Sequence, residues 1–214
     1  NYRCGLAGVD LNRQWRHPDI KLTPTVYYFK QMMEELKKNV GEIHIYVDFH
    51  GHSRKCGAFV YSATNHLQLT KEKKNSRYYL SRLFPRLMSV ISSDFSFDGC
   101  RFGVGRGKRG TGRVVASHGV GVQLSYTLEA SFLGAAKPKY FKTDNGQEWR
   151  PAQWSFKNYC MIGASVARTF ILFYKLQSDI FTKQAQINAE MKRKEFGLED
   201  GRPPRHPGKL LKMR

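Results

Sequence analysis

The chain has 214 residues, 41% of them hydrophobic and 13% aromatic, so it can bury the core of one domain and is not a disordered polypeptide. Its 36 lysines and arginines against 17 acidic residues give a formal net charge of +19, a field that attracts nucleic acids and acidic peptides alike. No apolar run is long enough to span a membrane, and the four cysteines form no CxxC pair, which argues against a structural zinc ribbon and fits a reducing compartment.

The first part of the chain predicts an irregular segment, one helix and two strands. Residues 1–18 predict irregular chain, and a helix follows over 24–41 because apolar residues recur there at helical spacing. An apolar run over 42–50 ends in polar residues, which is typical of a buried strand that carries His50 to the rim of a sheet. A second, short strand is predicted over 58–61.

The middle of the chain combines a basic helix with a glycine-rich segment. Residues 76–91 predict a helix whose basic face is either a solvated surface or a binding site. Residues 99–121 hold eight glycines and five lysines or arginines but no acidic residue, and this glycine density disfavours regular structure. We expect the segment to line the same cleft as the following strand, 122–129, which ends in Glu129. A flexible surface loop is the alternative.

The last part of the chain predicts two helices and a tail. Residues 151–174 predict a long core helix, and a more polar helix follows over 177–195. Residues 201–214 carry three prolines and five lysines or arginines but no acidic residue, which predicts a disordered basic tail. We therefore expect one domain over 1–176, with a polar C-terminal region over 177–200.

Four polar residues carry the chemistry expected of a metal-dependent hydrolase. A neutral imidazole such as that of His50 can bind zinc, and a nearby carboxylate such as that of Glu129 can act as a general base. Arg13 supplies a guanidinium fork that suits a carboxylate. Asp48, two residues before His50 on the same strand face, either supports that histidine or belongs to a turn. A ligand, a base and a carboxylate clamp suggest a zinc carboxypeptidase.

Four motifs occur in order along the chain, at residues 1–15, 48–53, 112–115 and 125–132. Together they resemble the cytosolic carboxypeptidase family, zinc metallocarboxypeptidases that trim glutamate from tubulin and other acidic protein tails. The resemblance implies an α/β fold, a mixed sheet with helices on both faces. The family's first zinc motif, a His and a Glu separated by two residues, normally precedes Asp-Leu-Asn-Arg and does not occur before it here. Residues 1–176 are therefore expected to be the C-terminal part of the catalytic domain.

The resemblance also implies one zinc ion and a role for each polar residue of the motifs. His50 is the metal ligand, the other two protein ligands lie N-terminal to this chain, and the 214-residue chain alone is expected to bind zinc poorly and to be inactive. The catalytic residues are Glu129 as general base and Arg3, which either stabilises the oxyanion or is a surface residue. The expected substrate-binding residues are Asn12 and Arg13 for the terminal carboxylate, Arg113 for a glutamate side chain, His52 in the cleft, and Tyr126 in the cleft or the core. Lys108 and Arg109 either assist Arg113 or bind residues further up an acidic tail.

We therefore predict a zinc-dependent carboxypeptidase that removes glutamate from acidic protein tails such as polyglutamylated tubulin, in the cytoplasm and in association with microtubules. No membrane partner is expected. One alternative is a catalytically inactive module that binds acidic tails or microtubules. The other is a basic nucleic-acid-binding protein, which is less favoured because no helix-turn-helix, zinc-finger, RRM or KH signature accompanies the charge.

Overall fold

The computed structural model describes residues 3–63, 71–136, 139–143, 146–150 and 152–195. The predicted basic tail at 201–214 and the end of the predicted polar region, 196–200, lie outside these ranges. Two units are distinguished along the chain, Asn1–Phe170 and Ile171–Arg214, and the described part of the second is helical. None of the helices in the described ranges is both long and apolar enough to cross a bilayer.

Three strands form the mixed sheet that carries the site: β1 (Ile45–His52), β2 (Ala58–Ser62) and β3 (Leu124–Ser131). The strand order is β1-β3-β2, with β1 parallel and β2 antiparallel to the central β3. The parallel register pairs His50 with Glu129, so the two residues lie side by side where both strands end. Two further strands, β4 (Lys139–Thr143) and β5 (Gly146–Arg150), pair antiparallel in a separate hairpin that we did not predict.

Helices cover both faces of the sheet, as predicted. The helices of the described ranges are α1 (Pro24–Val40), α2 (Lys71–Ile91), α3 (Gly112–Val115), which continues into a π-helical turn at Ala116–Val120, and α4 (Phe156–Glu195). Successive residues of β3 point to opposite faces. The Tyr126 hydroxyl donates to the carbonyl of Ser81 in α2, whereas the Ser125 hydroxyl donates to the carbonyl of Arg113 in α3. The α/β class with helices on both faces is therefore confirmed.

Two predictions of local structure differ from what is observed. The glycine-rich segment is partly helical, because Ala116 and Val120 pack with Met33 of α1 in a buried cluster that outweighs the local effect of glycine. The predicted helices at 151–174 and 177–195 are one helix, α4, because neither glycine nor proline occurs between 175 and 195 to end it.

Candidate functional site

A cleft of about 1200 Å³ lies at the carboxyl ends of β1 and β3. His50 and Glu129 line it as register partners. Six basic side chains and three carboxylates surround it, so its lining is net positive before any ligand binds. The charged lining residues are Arg3, Arg13, Arg54, Arg101, Lys108 and Arg113, with Asp10, Asp48 and Glu129.

A carboxylate on the same strand orients His50. Its Nε2 lies 2.9 Å from Oδ2 of Asp48, two residues earlier on the same face of β1. This hydrogen bond is the main reason that the pKa of His50 is raised, while partial burial opposes the shift. Because a nitrogen that close to a carboxylate oxygen must carry the proton, Nδ1 retains the lone pair in the neutral ring. The arrangement suits a metal ligand whose ring is held by a carboxylate.

Asn12 is fixed between the sheet and α3. Its Oδ1 accepts a hydrogen bond of 2.8 Å from the amide of Gly112, and its Nδ2 lies 3.3 Å from Nε2 of His50 and 3.5 Å from Oδ2 of Asp48. The short 3-10 turn at Leu11–Arg13 places Asn12 there, because Oδ1 of Asp10 accepts the Asn12 amide at 2.9 Å. The amide side chain therefore has one defined orientation in the cleft.

A Gly112→Ala substitution is expected to disturb this arrangement. A Cβ at this position would lie 2.4 Å from the hydroxyl oxygen of Tyr46 and 2.9 Å from the ring of Trp15. Forcing extra volume into such packing costs about 1–3 kcal/mol of folding free energy. We expect thermal unfolding to show this loss, whereas Gly105→Ala, with nothing within 4 Å of the added carbon, should leave the unfolding temperature nearly unchanged. Equal stability of both variants would contradict the packing described.

Arg13 and Arg3 flank one carboxylate at the mouth of the cleft. Each guanidinium lies 3.9 Å from Oδ2 of Asp10, and Nη1 of Arg13 also donates to the carbonyl of Asn12 at 2.8 Å. The Arg3 side chain is 56% exposed and that of Arg13 30% exposed. Both can therefore reach an anion that enters the cleft, and Asp10, which sequence reasoning did not single out, holds them near each other.

Arg113 is a buried cation at the cleft, with 6% of its surface exposed. Its guanidinium contacts only neutral partners in the described ranges, the carbonyl of Ser62 at 3.3 Å, Oγ1 of Thr127 at 3.4 Å and the ring of Tyr61 at 5.6 Å. Burial lowers the pKa of Arg113, and Glu129 and Asp48 partly oppose the shift. A buried charge is costly unless paired, so this residue favours an anionic ligand beside it.

Glu129 is half-buried, and burial raises the pKa of its carboxyl group. His50 and then Arg113 oppose the rise, because both favour the ionised form. A carboxylate whose pKa is raised towards neutrality is a stronger proton acceptor and remains able to ionise, which suits a general base.

Two further predicted residues lie at the cleft. Burial lowers the pKa of Lys108, with Arg13, Arg113 and Arg3 adding to the effect. His52 lines the cleft, but its Nδ1 accepts the amides of Arg54 and Lys55 at 3.1 Å each, so this ring also fixes the turn after β1.

Two predicted cleft residues lie elsewhere. Tyr126 has no exposed surface; it stacks on Phe84 with ring centroids 5.6 Å apart and does not line the cleft. The reason is strand parity, since Tyr126 lies on the face of β3 opposite to Glu129. Arg109 lines a smaller pocket beside the cleft and not the cleft itself.

Known proteins with similar sequences are carboxypeptidases, which is consistent with the geometry of the cleft. No protein-family profile matches the chain. Cytosolic carboxypeptidase 1 of Danio rerio is 38% identical over 146 residues, which are 65% of this chain and 13% of that protein. Cytosolic carboxypeptidase 2 of Danio rerio is 39% identical over 148 residues, 67% of this chain and 19% of that protein.

This chain is similar to one part of the cytosolic carboxypeptidases. It spans less than a fifth of the two relatives named, 13% and 19% of their lengths. Among solved structures, a metallo-carboxypeptidase from Burkholderia cenocepacia matches with a TM-score of 0.61 at 19% identity, over 81% of this chain and 40% of that chain. A metallo-carboxypeptidase from Pseudomonas aeruginosa, in complex with (2-guanidinoethylmercapto)succinic acid, matches with a TM-score of 0.61 over 81% of this chain and 41% of that chain. The fold is therefore that of the metallocarboxypeptidases.

The described part of this chain offers an incomplete set of metal ligands. His50 fits one position, because its ring is oriented and keeps a free lone pair on Nδ1. No group of three or more His, Cys, Asp or Glu residues in the described ranges is arranged to hold a metal ion. A catalytic metal site of three protein ligands would need donors from other residues.

Proposed function

We propose that the protein carrying this chain is a zinc-dependent carboxypeptidase that removes C-terminal glutamate from acidic protein tails, polyglutamylated tubulin among them. The observation that carries the proposal is the position of Arg113. It is a buried cation whose direct hydrogen bonds in the described ranges go only to neutral groups, and it lines the cleft that His50 and Glu129 also line. A glutamate side chain would pair with it directly, beyond the longer-range attraction of Glu129 and Asp48.

The basic lining gives the remaining substrate contacts. Arg13 and Asn12 are placed to hold the terminal carboxylate, since a guanidinium offers two parallel donors and the amide is already oriented by Gly112. Arg3, across Asp10 from Arg13, is placed to donate to the carbonyl oxygen that becomes negative during attack. Lys108 extends the positive lining towards earlier acidic residues of the substrate.

Glu129 moves the proton in this proposal. Its carboxylate accepts a proton from the attacking water and then delivers it to the leaving amine. Arg113 favours the ionised carboxylate and so opposes the effect of burial on its pKa. Each turnover thus consumes one water and returns Glu129 to its starting form.

His50 is proposed as one of three protein ligands of a zinc ion, with the other two outside the described residues of this chain. Zinc would polarise the scissile carbonyl and the attacking water. The names of the relatives support a cytoplasmic location. An acidic tubulin tail as substrate would bring the protein to microtubules.

The test is hydrolysis by the whole protein that contains this chain, purified and given a peptide that ends in several glutamates. We expect stepwise loss of single glutamates by mass spectrometry, no loss after chelation of the metal, and recovery when zinc is added back. A protein that binds the peptide with zinc present but never shortens it would be an inactive binding module. That module is the second candidate, and it stays open because the described residues hold no group of three possible metal ligands.

Asp48→Asn in the whole protein is expected to weaken zinc binding by roughly 10- to 100-fold, the usual effect of losing the carboxylate that supports a histidine ligand. The amide keeps the size of the side chain but not the charge that holds Nε2–H of His50. The exposed Asp98 provides the matched control as Asp98→Asn. Competition with a zinc-binding dye measures both, and equal zinc affinity in the two variants would remove Asp48 from the site.

A further inference from the structure

A second pocket of about 390 Å³, which we call the arginine pocket, lies beside the cleft. Residues 13, 14, 16 and 17 form one side of it and residues 106, 107, 109 and 110 the other, and none of them carries a carboxylate. Arg13 belongs to both cavities, so the arginine pocket and the cleft share a wall. The cationic or titratable lining residues are Arg13, Arg16, His17, Arg106 and Arg109.

The backbone holds the two walls of the arginine pocket together. The amide of Trp15 donates to the carbonyl of Gly110 at 3.3 Å, and a Cβ on Gly110 would lie only 2.7 Å from the carbonyl oxygen of Arg13. Glycine is therefore required for this close approach. The 3-10 turn at Arg106–Lys108 then divides the basic side chains: Lys108 lines the cleft, whereas Arg106 lines the arginine pocket.

The charges in the arginine pocket lack internal compensation. The guanidinium groups of Arg16, Arg106 and Arg109 have no hydrogen bond or ion pair with a described residue. Arg13 has its carboxylate contact, Asp10, at the cleft, and Asp10 does not line the arginine pocket. Arg16, Arg106 and Arg109 are exposed and line one pocket that contains no carboxylate, so an anion that enters it meets several cations without an internal competitor.

We propose that the arginine pocket is an accessory site that binds the carboxylates of an acidic stretch in the same polypeptide whose C-terminal residue occupies the cleft. This deepens the proposed function and rests on it for the placement of the chain end. The shared residue Arg13 gives a continuous positive path from one cavity to the other, which suits one extended acidic chain. A single-stranded nucleic acid is less suited, because the lining has no aromatic residue other than His17 on which a base could stack.

The test is binding of a fluorescent hexaglutamate with an amidated C-terminus to the whole protein, measured by anisotropy at constant salt. The amide removes the terminal carboxylate, so the clamp in the cleft does not contribute. We expect the Arg106→Gln/Arg109→Gln double variant to bind about tenfold more weakly, because two charged contacts are lost. The matched control is Lys21→Gln/Lys38→Gln, which removes the same charge from exposed lysines that line neither cavity and should change the affinity less than about twofold.

Equal weakening in both double variants would overturn the inference, because the net charge and not the arginine pocket would then hold the peptide. Tighter binding of a hexathymidylate than of hexaglutamate, lost in the arginine variant alone, would assign the pocket to nucleic acid and also overturn it. The two proposals fail separately. If peptide binding depends on the arginines but no hydrolysis occurs, the accessory site stands and the proposed enzymatic activity is wrong. If hydrolysis occurs but both double variants bind the peptide equally well, the activity stands and the accessory site is wrong. Thermal unfolding confirms that each variant is folded.

Discussion

Glu129→Gln in the whole protein is expected to abolish most turnover while leaving peptide affinity nearly intact. The amide has almost the same shape as the carboxylate but cannot accept a proton from water. Loss of a general base lowers kcat on the order of a hundredfold or more. Steady-state kinetics on a glutamate-ended peptide measure the effect, and direct binding of the same peptide shows that the cleft is preserved.

The matched control for this variant is Glu34→Gln, which makes the same chemical change on the exposed surface of α1. It should retain wild-type kcat. A Glu129→Gln enzyme with near-normal turnover would remove Glu129 from the mechanism, and equal losses in both variants would point to a general effect of the lost negative charge.

Arg113→Leu is expected to remove the preference for glutamate. A glutamate side chain would then lie desolvated in the cleft without its cation, at a cost of about 2–5 kcal/mol. That range corresponds to a fall in kcat/KM of roughly 30-fold to several thousandfold on glutamate-ended peptides. Leucine-ended peptides should lose much less. The comparison to make is kcat/KM for the two peptide ends in the same variant.

Two other substitutions separate specificity from general charge. Arg13→Leu should depress both peptides alike, because every substrate has a terminal carboxylate. Arg101→Leu removes an exposed cation from the lining of the same cleft and should have a small effect on either peptide. An Arg113→Leu enzyme that loses both peptides equally would show that Arg113 is not the selectivity residue, and Lys108 would be examined next.

The sequence predicted the two strands that build the site, because each is an apolar run that ends in a functional side chain. It could also have excluded Tyr126: residues 125, 127 and 129 share one face of β3, whereas 126 lies on the other. That strand is buried on both faces from Leu124 to Leu128, so an alternation of polar and apolar residues could not indicate which face Tyr126 lies on.

Other features depended on long-range contacts that local patterns do not contain. The helical part of the glycine-rich segment is stabilised by Met33, about 80 residues earlier in the chain, and by the bond from the Gly112 amide to Asn12. The arginine pocket likewise joins segments that are far apart in sequence. The sequence does carry a turn signal between β4 and β5, Asn145-Gly146, but the register pairs Thr143 with Gly146, so the glycine belongs to β5.

The central claim is that this cleft recognises the free end of an acidic chain and cuts there. The most direct measurement gives the whole, zinc-loaded protein two peptides of identical glutamate-ended sequence, one with a free C-terminal carboxylate and one amidated. We expect free glutamate to be released from the first and none from the second, because Arg13 has no carboxylate to hold in the amide. Release from both peptides at equal rates, or from neither, would contradict the account.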